Sequence, residues 1–159
     1  MINDLLGSLG ATPLAVALRT SLYVYPLVNA AHILALATLF GSILALNLRL
    51  LGVATAVPVQ PLAIFLPRVA AAGLAMAVLT GALLFLVQPV DYAGNPFFLA
   101  KIGLVVLGAV HAIVVHRSRG WQVVQSPLGI VTRRLRLSAL ASLLIWTAAI
   151  VSGRFIGFE

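Results

Sequence analysis

Four long apolar runs, at 22–46, 69–87, 97–115 and 137–151, leave this 159-residue chain few ways to fold. The last continues past Arg154 to residue 158. At about 1.5 Å of rise per residue, a helix of 19 residues covers about 28 Å, close to the roughly 30 Å hydrocarbon core of a bilayer. Spans of about 22–46, 69–87, 97–115 and 137–158 use up most of the chain. Residues 1–159 therefore read as a single membrane domain: an all-α integral membrane protein, a four-transmembrane-helix bundle. Composition agrees, at 62% hydrophobic and only 8% charged residues, against roughly 25% charged in an ordinary soluble domain.

The formal net charge of +7 would suit nucleic acid, but its placement argues for topology instead. Arg49 and Arg68 fall in the first link, and Arg117, Arg119, Arg133, Arg134 and Arg136 in the third. Only Arg19, Lys101 and Arg154 fall toward the other side. The positive-inside rule puts the arginine-rich links in the cytoplasm and both termini outside, an N-out/C-out arrangement. Such a link orients the protein and touches anionic headgroups. No nucleic-acid partner is expected. The start, Met1-Ile2-Asn3-Asp4, has no basic region and the first run is too long for a signal peptide. The absence of cysteine removes disulfides, thiolate metal sites and thiol catalysis. A composition rich in Gly and Ala, with Arg over Lys, fits a bacterial inner membrane.

Local signals fill in the rest. Thr12-Pro13 reads as an N-cap with proline at the first helical position, opening a short N-terminal interfacial helix over 13–21. Tyr23 and Tyr25 suit an aromatic belt, and Pro26 a kink in the first span. Pro58, Pro61 and Pro67 are expected to break the chain before the second span, leaving an interfacial turn of helix at 59–66. Gly73, Ala77 and Gly81 form a small-residue ridge for close helix packing. Residues 88–96 make a short hairpin. The link 117–136 is longer and polar, with Trp121 as its interfacial anchor. Ser138, Ser142, Ala149 and Ser152 share a stripe of the fourth span.

His32 carries most of the functional interest, because an ionisable group inside a span faces a partner rather than lipid. Tyr25, Asn29 and His32 share one helical face, so Asn29 can fix the imidazole tautomer; a buried neutral histidine bonded to another helix is the plainer reading. Lys101, Gly108 and His111 share a face of the third span. Two histidines on different helices raise bis-histidine haem b as a cofactor. Counting depth along the helices offsets His32 from His111 by roughly 8–16 Å, a strained pairing for one iron. Asn29, His32, Thr80 and Lys101 lie nearer to one level, in the outer half. That cluster suits an anion, a quinone head group, a single-histidine haem or one metal ion on His32, with Arg154 and Asp91 at its rim. No P-loop, dinucleotide fingerprint or zinc motif is present.

The run NAAHILALATLFGSILALNLRLLG, then AVLTGALLF, YAGNPFFLAKIGLVVLGAVHAIVVHR and the closing SGRFIGF resemble an uncharacterised bacterial family of four-helix inner-membrane proteins, a domain of unknown function. The likeness covers nearly the whole chain. It implies the four-span fold and singles out His32, Thr80, Gly81, Asn95, Pro96 and Lys101, without implying an activity. It puts asparagine where this chain has His111, and matches His116. A fainter likeness, to the membrane domain of copper-resistance D proteins, rests on His32 and Gly41, Thr80 and Gly81, then Tyr92, Gly94 and Lys101. Met1 and Met76 make no cluster of soft copper ligands.

Three functions remain open. One is a redox-associated protein holding haem or quinone near His32, with Asn29, Thr80, Lys101 and His111 as further cofactor-binding candidates. The second is a non-catalytic structural subunit, as a homo-oligomer or within a larger membrane complex. The third is an accessory factor for metal or small-solute transport, which a bundle this small supports less well.

Overall fold

The computed structural model of the protein describes residues 2–127 and 129–158. All regular structure among them is helical: α1 (Ile2–Gly10), α2 (Pro13–Thr20), α3 (Val24–Leu51), α4 (Val59–Phe85), α5 (Pro89–Gly94), α6 (Pro96–His116), α7 (Arg119–Gln125) and α8 (Arg133–Phe155), with a 3-10 turn over Ile156–Phe158. Helices α3, α4, α6 and α8 with its closing turn are long and apolar enough to cross a membrane. The chain is a multi-pass membrane protein by that measure.

Proline placement explains where these helices start. Pro13, Pro26, Pro61, Pro89 and Pro96 all fall in the first turn of a helix, where a missing N–H has no intrahelical partner to lose. The expected break between 58 and 67 is therefore absent. Helix α4 begins at Val59 and runs unbroken through Pro67. Pro67 does leave the Ala63 carbonyl, four residues back, without its helical donor. The side chain of Gln125 fills that gap, its amide Nε2 donating to the Ala63 carbonyl at 3.2 Å. Gln60 returns the contact, donating to the Gln125 carbonyl at 3.0 Å.

Two tightly packed pairs make the bundle. Helix α3 pairs with α4, α6 pairs with α8, and α3 and α8 join the pairs in the middle. Helices α4 and α6, on the flanks, are not a closely packed pair; they meet through Phe85 and Phe98, stacked at 5.4 Å, at the end away from the arginine-rich links. The small-residue ridge makes the first pairing, with Gly73 and Ala77 buried. A Cβ at Gly73 would lie 2.7 Å from the Leu39 backbone nitrogen and 3.0 Å from the Ala35 carbonyl oxygen. In the second pair Gly108 receives the Trp146 indole, and Phe97 stacks on Phe155 at 5.3 Å.

Short helices close both ends. At one end Arg19 of α2 donates to the Gly10 carbonyl, and Gly10 meets Pro89 of α5. Thr12 caps α2 through Ala15, as its sequence implies, whereas α1 precedes the first helix read from the sequence. At the arginine-rich end, Gly52 at φ 101° terminates α3, and Arg49 donates to the Val57 and Thr55 carbonyls. There α7, capped by Ser118 through the Trp121 N–H, folds back onto α4. Trp121 is consequently not an exposed interfacial anchor. It is 3% exposed, in a core with Leu46, Leu50, Val59, Ala63, Val124 and Leu135.

Because the groups facing Gly73 are backbone, they cannot move aside one by one. Gly73→Ala should destabilise the protein by about 1–3 kcal/mol, the usual cost of overpacking. Gly41→Ala, with nothing within 4 Å of its Cβ, should leave stability unchanged or slightly raised. Denaturant unfolding in mild detergent separates the two; equal behaviour would refute the close crossing.

Candidate functional site

His32 projects from α3 onto α4. Its Nδ1 lies 2.8 Å from Thr80 Oγ1, and its ring rests on Gly81, where a Cβ would come 3.2 Å from Cε1. The Thr80 hydroxyl already donates its one proton to the Met76 carbonyl at 2.6 Å. Thr80 Oγ1 can then only accept, so the imidazole carries its proton on Nδ1 and donates it. Nε2 is left with its lone pair, the form in which histidine accepts a hydrogen bond or ligates a metal. Thr80 is buried, and its side chain serves both helices of the pair.

The other outer-half candidates divide. Asn29 is exposed on α3 and makes no hydrogen bond to His32. Lys101 of α6 lays its stem over Gly153 of α8, which a Cβ there would meet at 3.3 Å. Its ammonium has no hydrogen bond or ion pair among the described residues, and it lies near His32. The structure thus gathers His32, Thr80 and Gly81 in one contact, with Lys101 near and Asn29 apart. Arg154 turns over the Phe158 ring at 4.5 Å rather than toward Asp91.

His111 belongs to a different level. Its Nε2 lies 3.0 Å from Ser138 Oγ on α8. One helical turn further along α8, the Ser142 hydroxyl accepts from Asn47 Nδ2 at 3.0 Å. Asn47 lies fifteen residues beyond His32 on α3, about 22 Å of helix. His32 is thus tied to α4 and His111 to α8, at different depths of the bundle. They do not converge on a common iron. Among the described residues no group of three or more His, Cys, Asp or Glu is placed to hold a metal ion.

Around His111 the bundle is hollow. A cavity of about 600 Å³ lies between the arginine-end halves of the four long helices, within the 300–1,000 Å³ range of small-molecule sites. Leu39 and Asn47 of α3, Leu74 of α4, His111 of α6 and Trp146 of α8 line it, and Arg68 and Arg117 stand at its arginine end. Its α4 and α6 walls are not closely packed on each other, and the Phe85–Phe98 stack that joins these helices lies at the opposite end of the bundle. Sequence reasoning missed this pocket, since neighbour order in a bundle is not written in any one helix. The isolated Asn47 in its apolar run was the available signal.

The remaining positions highlighted by family resemblance have structural work. Asn95 caps α6, its Oδ1 accepting from the Phe98 N–H at 3.0 Å, and Pro96 occupies the first turn. Tyr92 packs against Phe85 and Phe98. Burial, and then the neighbouring Tyr25 and Asp91, raise its phenol pKa above the ordinary tyrosine value, keeping it neutral at physiological pH.

Helix order, span length and polar pairing define a four-helix, multi-pass membrane protein. The chain belongs to a family of unknown function, DUF6644, whose sequence profile matches residues 14–159. No curated protein and no solved structure gives a match, so the likeness to the copper-resistance D membrane domain is not shown.

If His32 and Thr80 form one interhelical bond, the single variants His32→Ala and Thr80→Ala should not be additive. A double-mutant cycle on unfolding in bicelles should give a coupling of about 0.6 kcal/mol, and at most about 1.7. Additive losses would refute the pairing.

Proposed function

We propose that this protein is a non-catalytic, membrane-embedded binding protein that takes a lipid-soluble ligand sideways from the bilayer. The observation that carries this reading is the 600 Å³ cavity, bounded on one side by α4 and α6, which are not a closely packed pair; we read the entrance as lying between them. Bundles hold ligands between facing helices in this way. No paired acid and base line the cavity, which favours holding a ligand over transforming it. A quinone or haem in the pocket would make the protein redox-associated; a lipid would make it a structural or carrier component.

A second reading rests on His32. Its free Nε2 and the nearby Lys101 ammonium suit a single-histidine haem, a metal ion or a small anion in the other half of the bundle. The two readings separate in one purification from native membranes. A visible haem spectrum lost in His32→Ala supports the second, whereas a colourless protein carrying a stoichiometric organic ligand supports the first.

The pocket reading has its own test. Ala71→Trp or Ala112→Trp, which place an indole in the cavity wall from α4 or α6, should strip the ligand while leaving the protein folded. Organic extraction and mass spectrometry measure the occupancy. Wild-type protein that leaves mild detergent without a stoichiometric ligand would refute the reading.

We further propose a bacterial inner-membrane location, N-out/C-out, with the short α1 and α2 at the outer interface. Support comes from the seven arginines of the two links and the positive-inside rule. The chain lacks cysteine, so Ser8→Cys and Gln122→Cys are clean reporters. An impermeant maleimide should label the first in intact spheroplasts and the second only after lysis. The reverse pattern would invert the topology.

A further inference from the structure

Resting on the pocket reading above, we infer that the ligand is an acidic phospholipid of the surrounding leaflet. One acyl chain lies in the cavity, and the phosphate sits between Arg68 and Arg117.

Three observations carry this. The first is depth. On α6 the cavity runs from Arg117 to Ala109, eight residues, and on α3 from Leu50 to Leu39, eleven residues. That is about 12–16 Å along the helices, the half-thickness of a roughly 30 Å hydrocarbon core. An acyl chain starting at the headgroup level would fill it, and the α4–α6 opening lets the second chain of the same lipid stay in the bilayer.

The second is charge. Residues 47–68 and 112–136, which build this end, contain no Asp or Glu. Arg49 spends its guanidinium on the Val57 and Thr55 carbonyls. Arg68 and Arg117 line the cavity and have no hydrogen-bond or ion-pair partner among the described residues. A phosphodiester offers two anionic oxygens that the planar guanidinium fork binds bidentately. Basic pockets between spans at the cytoplasmic side recognise acidic headgroups for this reason.

The third is what the cavity wall withholds. The polar groups inside it are already engaged, His111 with Ser138 and Asn47 with Ser142. A neutral quinone needs free donors for its carbonyls, and this wall has few to give. Hydrocarbon makes no such demand.

The only two tryptophans of the chain, Trp121 and Trp146, both line the cavity and are 3% and 5% exposed. They are shielded from lipid on the outer surface, so bromine on an acyl chain quenches them from within the pocket. The full chain in dodecylmaltoside is titrated with acyl-brominated phosphatidylglycerol and with acyl-brominated phosphatidylcholine. The acidic lipid should quench at roughly tenfold lower concentration, given the strength of basic residues beside acidic headgroups. Arg68→Gln with Arg117→Gln should abolish the difference. Arg133→Gln with Arg134→Gln, outside the cavity, should preserve it. Circular dichroism shows that each variant is folded.

Equal quenching by the two lipids, or a preference lost equally in the control variant, overturns the acidic class while leaving the pocket reading intact. Quenching by a short-chain ubiquinone that phosphatidylglycerol does not displace overturns it in favour of a neutral ring. Tryptophans silent to every probe, in a protein that elutes with a second polypeptide, overturn both readings and make the opening a helix-docking surface.

Discussion

Inside hydrocarbon a polar group has no water to fall back on, and leaving one unpaired costs several kcal/mol. That constraint organises this protein at each level of its depth. His32 meets Thr80 where α3 crosses α4. Asn47 meets Ser142 where α3 crosses α8, and His111 meets Ser138 where α6 crosses α8. The two tight pairs and the α3–α8 contact that joins them thus each hold one polar bond among apolar contacts, and each bond fixes a register that leucine and alanine alone would leave slippery. The same rule explains Gln125. Pro67 strips the Ala63 carbonyl of its donor, and an amide from α7 replaces it. One glutamine thereby lets α4 run through its proline and anchors the link that follows α6.

Much of this was legible beforehand, and what was hidden has a consistent cause. Span number and approximate length follow from apolar run length, and the caps at Thr12 and Asn95 follow from local chemistry. Depth counting separated His32 from His111 and set Thr80 beside His32, because rise per residue is fixed within a helix. It could not say that His111 pairs with Ser138 of α8, because rise per residue does not set which helices are neighbours. The prolines at 58, 61 and 67 misled in the same local way: whether a proline breaks a helix depends on what reaches the orphaned carbonyl, and Gln125 lies 62 residues from Ala63. Trp121 was misplaced because aromatic content alone does not tell a belt from a fold-back helix. Which helices are neighbours is a long-range property, so the opening between α4 and α6 had no signature in the sequence.

That opening is reasonable in a bilayer and would not be in water. Apolar walls facing water are driven together by the hydrophobic effect, but lipid tails are as apolar as leucine, so no comparable force closes α4 on α6. Close packing at Gly73 and Gly108 spends the small residues on the α3–α4 and α6–α8 pairs. No small-residue crossing joins the flanking helices, whose ring contact, Phe85 on Phe98, lies at the end away from the arginines. The result is a rigid pair of hairpins held along α3 and α8, with a gap on the far side that lipid can enter without displacing protein contacts.

The arginines then have two roles that reinforce each other. As topological charges they need only lie near the ends of the spans, and any of the seven would serve. Arg68 and Arg117 are set apart by lining the cavity in a segment of chain with no carboxylate to pair with. A cation held at the mouth of an apolar cleft, at headgroup depth, concentrates acidic lipid there whatever else it does. In the proposed reading, positive charge that would serve for orientation also becomes the recognition element for the cleft beneath it. The half of the bundle around His32, where α3 and α4 are closed by a tight glycine contact, is left as the mechanical anchor of the pair.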